Sequence, residues 1–164
     1  VTPEELVEAL QRYRDKAAAA MPEVAMAMAD HYKDHLTRVT LRRTYAAPGQ
    51  FGSPAPPGSP IAYRAGFLAR SVTSWPGASS GASASAHVAP HTVYSAVQEY
   101  GREIFARNFP YMRWYNDRGW WMKKRVTVPP RPYMHPALAD VVADGSLRAA
   151  AVLEFRIMTA GWQY

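Results

Sequence analysis

Two histidines, His31 and His35, stand four apart in the run Asp-His-Tyr-Lys-Asp-His, the spacing at which two imidazoles on one helix face can share a metal ion. A zinc-hydrolase helix carries a glutamate directly after its first histidine; here Tyr32 takes that place, and no third ligand is indicated. Asp30 and Asp34 suit helix-surface pairs with Lys33 and Arg38 instead. Nucleophilic catalysis has no better support, because no Gly-x-Ser-x-Gly elbow occurs and the serines cluster in turns. Gly49, Gly52 and Gly58 lie among prolines, whose missing N–H groups spoil a phosphate cradle. Glu99 and Glu103 have the spacing of paired acids but read better as flanking a helix end. The expectation is a protein without catalytic residues, metal or cofactor.

A different chemistry gathers between Phe109 and Leu138. Lys123-Lys124-Arg125, with Arg113, Arg118 and Arg131, surround Trp114, Trp120, Trp121 and Tyr133. Cations interleaved with aromatics fit a single-stranded nucleic-acid platform. Trp and Arg are equally the residues enriched at protein interface hot spots, so the cluster also fits subunit assembly. The candidate interface residues are Arg113, Trp114, Arg118, Trp120, Trp121, Lys123 and Arg125.

The element that must position them is a hairpin over 111–128: Tyr111 to Tyr115, a turn at Asn116-Asp117-Arg118-Gly119, and Trp120 to Val128, closed by Pro129-Pro130-Arg131-Pro132. Gly119 supplies the positive φ that the turn needs. Side chains alternate across a strand, so Trp120 and Trp121 point to opposite faces in any register. The face of Trp120, Met122, Val126 and Val128 is expected inward. Trp121, Lys123 and Arg125 would then face a neighbour or solvent. A second Trp-bearing face in a small domain calls for a partner, since burying one Trp is worth several kcal/mol at roughly 25 cal/mol per Å² over about 200 Å².

Elsewhere, Thr2-Pro3-Glu4-Glu5 has the form of a capped helix start, and apolar or small residues recur at steps of three and four from Leu6 to Val39. Residues 1–45 are therefore expected as one long helix, or as a kinked pair divided at Pro22. A helix to about Thr40 would be roughly 57 Å long, more than this domain can cover. Residues 46–60, rich in proline and glycine, are expected as a loop or an arm that orders on a neighbour. Residues 61–164 supply an α+β core: a short helix from Ile61 to Ser71, a hairpin formed by Val72 to Trp75 and Ala82 to Val88, a short helix ending at Gly101, the hairpin, and a last helix from Pro136. Its inward face is expected at Leu138, Val142, Gly145, Ala149, Val152 and Leu153, with a bend at Gly145-Ser146. The class is α+β, a single domain with a small four-stranded antiparallel sheet on which long N-terminal and C-terminal helices pack.

At 164 residues, 48% hydrophobic and 20% charged, the chain has the composition of one folded domain. It has no cysteine, so neither a disulfide framework nor a thiolate metal site is open to it. The net charge of +6 favours acidic partners without naming one. Val1-Thr2-Pro3-Glu4-Glu5 is unlike a secretory signal, and Ala17 to Ala29, interrupted by Pro22 and Glu23, is too short to span a bilayer.

Three segments, in order, resemble one family: Leu68-Ala69-Arg70-Ser71, Tyr94-Ser95-Ala96-Val97-Gln98-Glu99-Tyr100-Gly101, and Pro130-Arg131-Pro132-Tyr133-Met134-His135-Pro136-Ala137-Leu138. They resemble the neck proteins of long-tailed bacteriophages, described as tail-completion or head–tail joining proteins and related to the minor tail protein Z group. Pro130 stands where that family has a small residue, and the 46–60 loop and the Trp-rich hairpin tip are departures from it. The resemblance implies a structural virion protein, assembled in the host cytoplasm, forming a homo-oligomeric ring, six-fold being typical, between the head connector and the tail tube. Its implied partners are a head-completion protein, a tail terminator or tail-tube protein, and genomic DNA that passes without sequence recognition; no membrane is involved. Arg131-Pro132-Tyr133 would fix the angle between hairpin and last helix, with Pro136 starting that helix. Tyr94, Val97 and Tyr100 would pack the short helix, Glu99 would pair with Arg131 or Arg70, and the basic cluster would lie at ring-to-ring contacts.

Overall fold

The structure, a computed structural model, describes residues 2–42, 66–107, 109–116 and 119–159. The loop expected at 46–60, the start of the helix expected from Ile61, and Arg118 lie outside them.

Thr2 caps α1 (Pro3–Arg38) as its sequence demands: its Oγ1 accepts the Glu5 N–H at 3.2 Å, and its own N–H donates to the Glu5 carboxylate at 2.8 Å. The helix then runs unbroken through Pro22 for 36 residues, roughly 54 Å at about 1.5 Å per residue. The division into two helices does not occur, because Ala20 and Val24, on either side of Pro22, are both buried and hold the helix across the missing hydrogen bond. A 3-10 turn (Thr40–Arg42) ends the segment and buries Leu41.

There follow α2 (Phe67–Arg70), β1 (Val72–Ser80), β2 (Ser83–Pro90), α3 (Ser95–Tyr100), β3 (Arg102–Phe105), β4 (Met112–Asn116), β5 (Gly119–Lys123), β6 (Arg125–Val128), α4 (Met134–Ala143) and α5 (Ser146–Thr159). The class is α+β, with long helices at both ends of the described chain. The single four-stranded sheet is replaced by three two-stranded antiparallel ladders, β1–β2, β3–β6 and β4–β5. Pro90 ends β2 and Pro129-Pro130 follow β6, removing the N–H donors through which one ladder would extend. β1 runs on past Trp75 through Pro76-Gly77, with a register shift between Pro76 and Ser79.

The core gathers on the C-terminal half of α1. Tyr32, Leu36 and Leu41 meet Leu68 and Val72 from one side and Tyr133, Ala137 and Val141 from the other. Lys33 ties α1 to the first hairpin, donating to Asp30 at 2.6 Å and Ser74 at 2.9 Å. The same Lys33 ammonium and Ser74 hydroxyl hold the Asp30 carboxyl below its usual range. Gly145, at φ +73°, breaks the last helix, and the face of α4 turned inward is Ala137 and Val141. Leu138, Val142, Val152 and Leu153 are exposed, contrary to the inward face expected for them. The phase is set at the start of α4, where Tyr133 is fully buried; positions four and eight residues on from Tyr133 follow it inward. No helix among the described residues is long and apolar enough to cross a membrane.

Candidate functional site

Two of the family-like segments meet through one carboxylate. Glu99, buried on α3, accepts the backbone N–H of Tyr133 at 2.7 Å, of Met134 at 3.1 Å and of His135 at 3.2 Å. These are the first amides of α4, which no residue within the helix can satisfy, and a negative charge there also meets the positive end of the helix dipole. Pro136 follows as the next residue and has no N–H to leave unpaired. Sequence reasoning looked to Arg131 or Arg70 for Glu99; the structure gives the carboxylate three backbone donors. The Arg131 N–H reaches the Gln98 carbonyl at 2.7 Å, and the Tyr133 hydroxyl donates to Ser95 at 3.3 Å.

Tyr94 and Tyr100 are exposed and Val97 only half-buried, so Glu99, rather than those three, anchors the short helix. Leu68 joins the core, and the Arg70 guanidinium lies 5.0 Å from the Phe67 ring centre. Gly101 has φ +70° and ψ 159°, a region open to glycine alone, and a Cβ there would stand 2.8 Å from Pro130. This close approach clamps the start of β3 to the end of β6.

From that clamp an arm extends. β3 pairs with β6 (Arg102 opposite Val128, Phe105 opposite Arg125), and β4 pairs with β5 (Met112 opposite Lys123, Trp114 opposite Trp121, Asn116 opposite Gly119). The Ala106 N–H donates to the Lys124 carbonyl at 3.0 Å and joins the two ladders end to end. The second strand expected at Trp120 to Val128 is thus shared between two partners. Between the pairs Phe105–Arg125 and Met112–Lys123 the second strand has the single residue Lys124, and Pro110, lacking a donor, belongs to the stretch where the first strand leaves the ladder. The nine paired positions and this link follow a contour of roughly 34 Å at about 3.4 Å per residue, bent at Lys124.

Among the described side chains of its outer half, neither face of this ribbon is buried in the body. Trp120 and Met122 are 64% and 65% exposed, so the face expected inward is open, and Trp121 on the other face is 39% exposed. Val126 and Val128, nearest the clamp, are half-buried. Arg113 sits over Trp120, guanidinium carbon to ring centre 4.6 Å, and Lys124 stands 5.7 Å from the Tyr111 ring centre. Arg125 faces Glu103 at 3.7 Å. Where the first strand departs, a cleft of about 670 Å³ opens between Phe109, Tyr111, Met112 and Met122, with Arg107 and Arg113 beside it.

Sequence reasoning missed β3 and with it the lower half of the arm. The signal was present in Ile104-Phe105 directly after Gly101, two β-favouring residues in a run too short to stand out. It also missed how unevenly charge is spread. Residues 102–128 hold seven of the 19 basic and two of the 13 acidic residues, hence five of the six net positive charges.

The histidines serve packing. His31 Nε2 lies 2.8 Å from the Ser146 hydroxyl at the start of α5, and His35 Nε2 lies 3.7 Å from the Asp140 carboxylate on α4. Asp30 pairs with Lys33 and Asp34 with Arg38, at 2.6 and 3.5 Å. Among the described residues no group of three or more His, Asp or Glu is placed to hold a metal ion. No protein-family model, curated protein or solved structure matches the chain.

Proposed function

We propose that the chain is a structural virion protein of a long-tailed bacteriophage, without catalytic activity, which assembles as a ring in the neck and joins the head connector to the tail tube. The observation that supports this is the balance of apolar surface. Among the described residues the core buries eleven apolar side chains, three of them alanine, while twenty-three large hydrophobic residues are exposed. They are grouped rather than scattered: Leu6, Leu10 and Tyr13 along the first turns of α1, Leu138 and Val142 on α4, Leu153 and Ile157 on α5, and the aromatics of the arm. Contiguous apolar patches of this kind mark assembly surfaces. A surface that is left open on every copy is covered most simply by another copy, and distinct patches on distinct elements favour a head-to-tail contact, which closes into a ring.

Native mass spectrometry and negative-stain electron microscopy of the purified protein test the reading. The expected result is a closed oligomer with one stoichiometry, which docks on purified connector or tail-tube rings. A Leu153→Lys, Ile157→Lys variant, both positions being solvent-facing, should stay folded by circular dichroism and lose the oligomer. A protein that remains monomeric at high concentration and never enters assembled particles refutes the proposal.

A further inference from the structure

We infer that the arm, β3 to β6, is a sequence-independent binding element for duplex nucleic acid, which it grips through phosphate contacts with the ribbon lying along a groove. Charge comes first. Twelve basic and eleven acidic residues make the rest of the chain almost neutral, so the excess is a property of this one element. Its partner is therefore a polyanion. A second copy of the arm is disfavoured along the β5–β6 edge, since pairing there would set Lys123, Lys124 and Arg125 of one copy against the same cations of another.

Shape then separates duplex from single strand. A stacking platform needs open aromatic rings on one face, with cations along its borders. Here the cations take both faces, because Arg113 lies opposite Met122 and Lys123 opposite Met112 at adjacent, alternating positions. The Trp120 ring already has the Arg113 guanidinium over it. A two-stranded ribbon charged on both faces fits between the two phosphate rails of a groove, and the major groove admits such a ribbon. Its contour of roughly 34 Å, bent at Lys124, is comparable with one turn of B-form duplex. Arg102, Arg107, Arg113, Lys123 and Lys124 make about five phosphate contacts; Arg125 is partly neutralised by Glu103. The inference does not rest on the ring, because the arm is complete within one chain.

Fluorescence anisotropy with the intact protein and a labelled random-sequence 20-base-pair duplex reads it directly. The slope of log affinity against log salt should be about −4.5, an affinity loss on the order of 500-fold between 50 and 200 mM salt. Lys123→Ala with Lys124→Ala should flatten the slope to about −2.7 and weaken binding at 50 mM at least tenfold, with the circular dichroism spectrum unchanged. AT-rich and GC-rich duplexes should bind alike. No duplex binding at 50 mM salt, or equal binding by the double variant, overturns the proposal. Polyglutamate bound as tightly as the duplex overturns it in favour of an acidic protein partner, and tighter binding of single-stranded DNA overturns the groove geometry.

Discussion

Glu99→Ala isolates the contact on which the last two helices depend. The substitution removes the acceptor of three backbone N–H groups at 2.7, 3.1 and 3.2 Å. A buried donor left unsatisfied costs roughly 1–3 kcal/mol. Tyr133 is fully buried, so its amide bears that cost in full, whereas His135 is exposed and water can reach its amide. Counting the first donor near the upper value and the other two near or below the lower, the loss is about 4 kcal/mol. At roughly 2–4 °C per kcal/mol for a chain of this size, the melting temperature falls by about 12 °C. Glu99→Gln keeps one carbonyl oxygen but turns an NH2 donor toward amides that also donate, so it falls between wild type and alanine. Urea denaturation followed by far-UV circular dichroism measures both variants, and an unchanged m-value confirms that the same surface unfolds. An alanine variant within about 0.5 kcal/mol of wild type would falsify the view that this carboxylate orders the start of α4.

Gly101→Ala strains a positive-φ backbone and drives a methyl to 2.8 Å from Pro130, so a loss of roughly 2–4 kcal/mol by denaturation is expected; a loss under about 1 kcal/mol contradicts the clamp. High pH attacks the core through its tyrosines. Burial, and next the nearby Glu99 carboxylate, push the Tyr32 phenol up to about 12 and the Tyr133 phenol higher still. A raised folded value means that their contribution is complete below the unfolded value of about 10 and is lost as pH rises through the folded one, so unfolding should begin above pH ~10 and follow Tyr32 near 12. Tyrosinate absorbance read beside circular dichroism checks this: Tyr32 and Tyr133 should titrate late, together with loss of helix, and their titration near pH ~10 with helix intact would contradict it.

What was legible in the sequence was local. The Thr2–Glu5 capping box, the positive φ of Gly119, the weak point of the last helix at Gly145, expected as a bend and found as a break, and the exposure of Trp121 each depend on a few neighbouring residues. What was not legible is set across the chain. Leu138 and Val142 fit the apolar period as well as Ala137 and Val141 do, and only the anchoring of Tyr133 by α3 selects the second pair. Pro22 predicts a break from local sterics, but burial of Ala20 and Val24 overrides it. Glu99 looks like a surface acid because nothing nearby announces three amides that arrive from more than thirty residues away. The hairpin 111–128 was visible, while its sharing between two partner strands was not, since β3 is only four residues long.

The arm and the helix faces differ in the forces they can use, and this allows the two to be separated in one preparation. The proposed assembly through Leu6, Leu10, Leu153 and Ile157 would draw on apolar burial, which added salt leaves intact or strengthens. The arm draws on cations whose contacts with phosphate release counterions, and added salt opposes it. Like charges also oppose contact between arms, so the proposed ring, if closed by the helices, would leave its arms to meet a common polyanion. Raising salt should therefore strip duplex from the protein while the oligomer persists. If both were lost together along the same salt curve, subunit contact would itself run through the basic residues, and the separation of roles between helices and arm would be wrong.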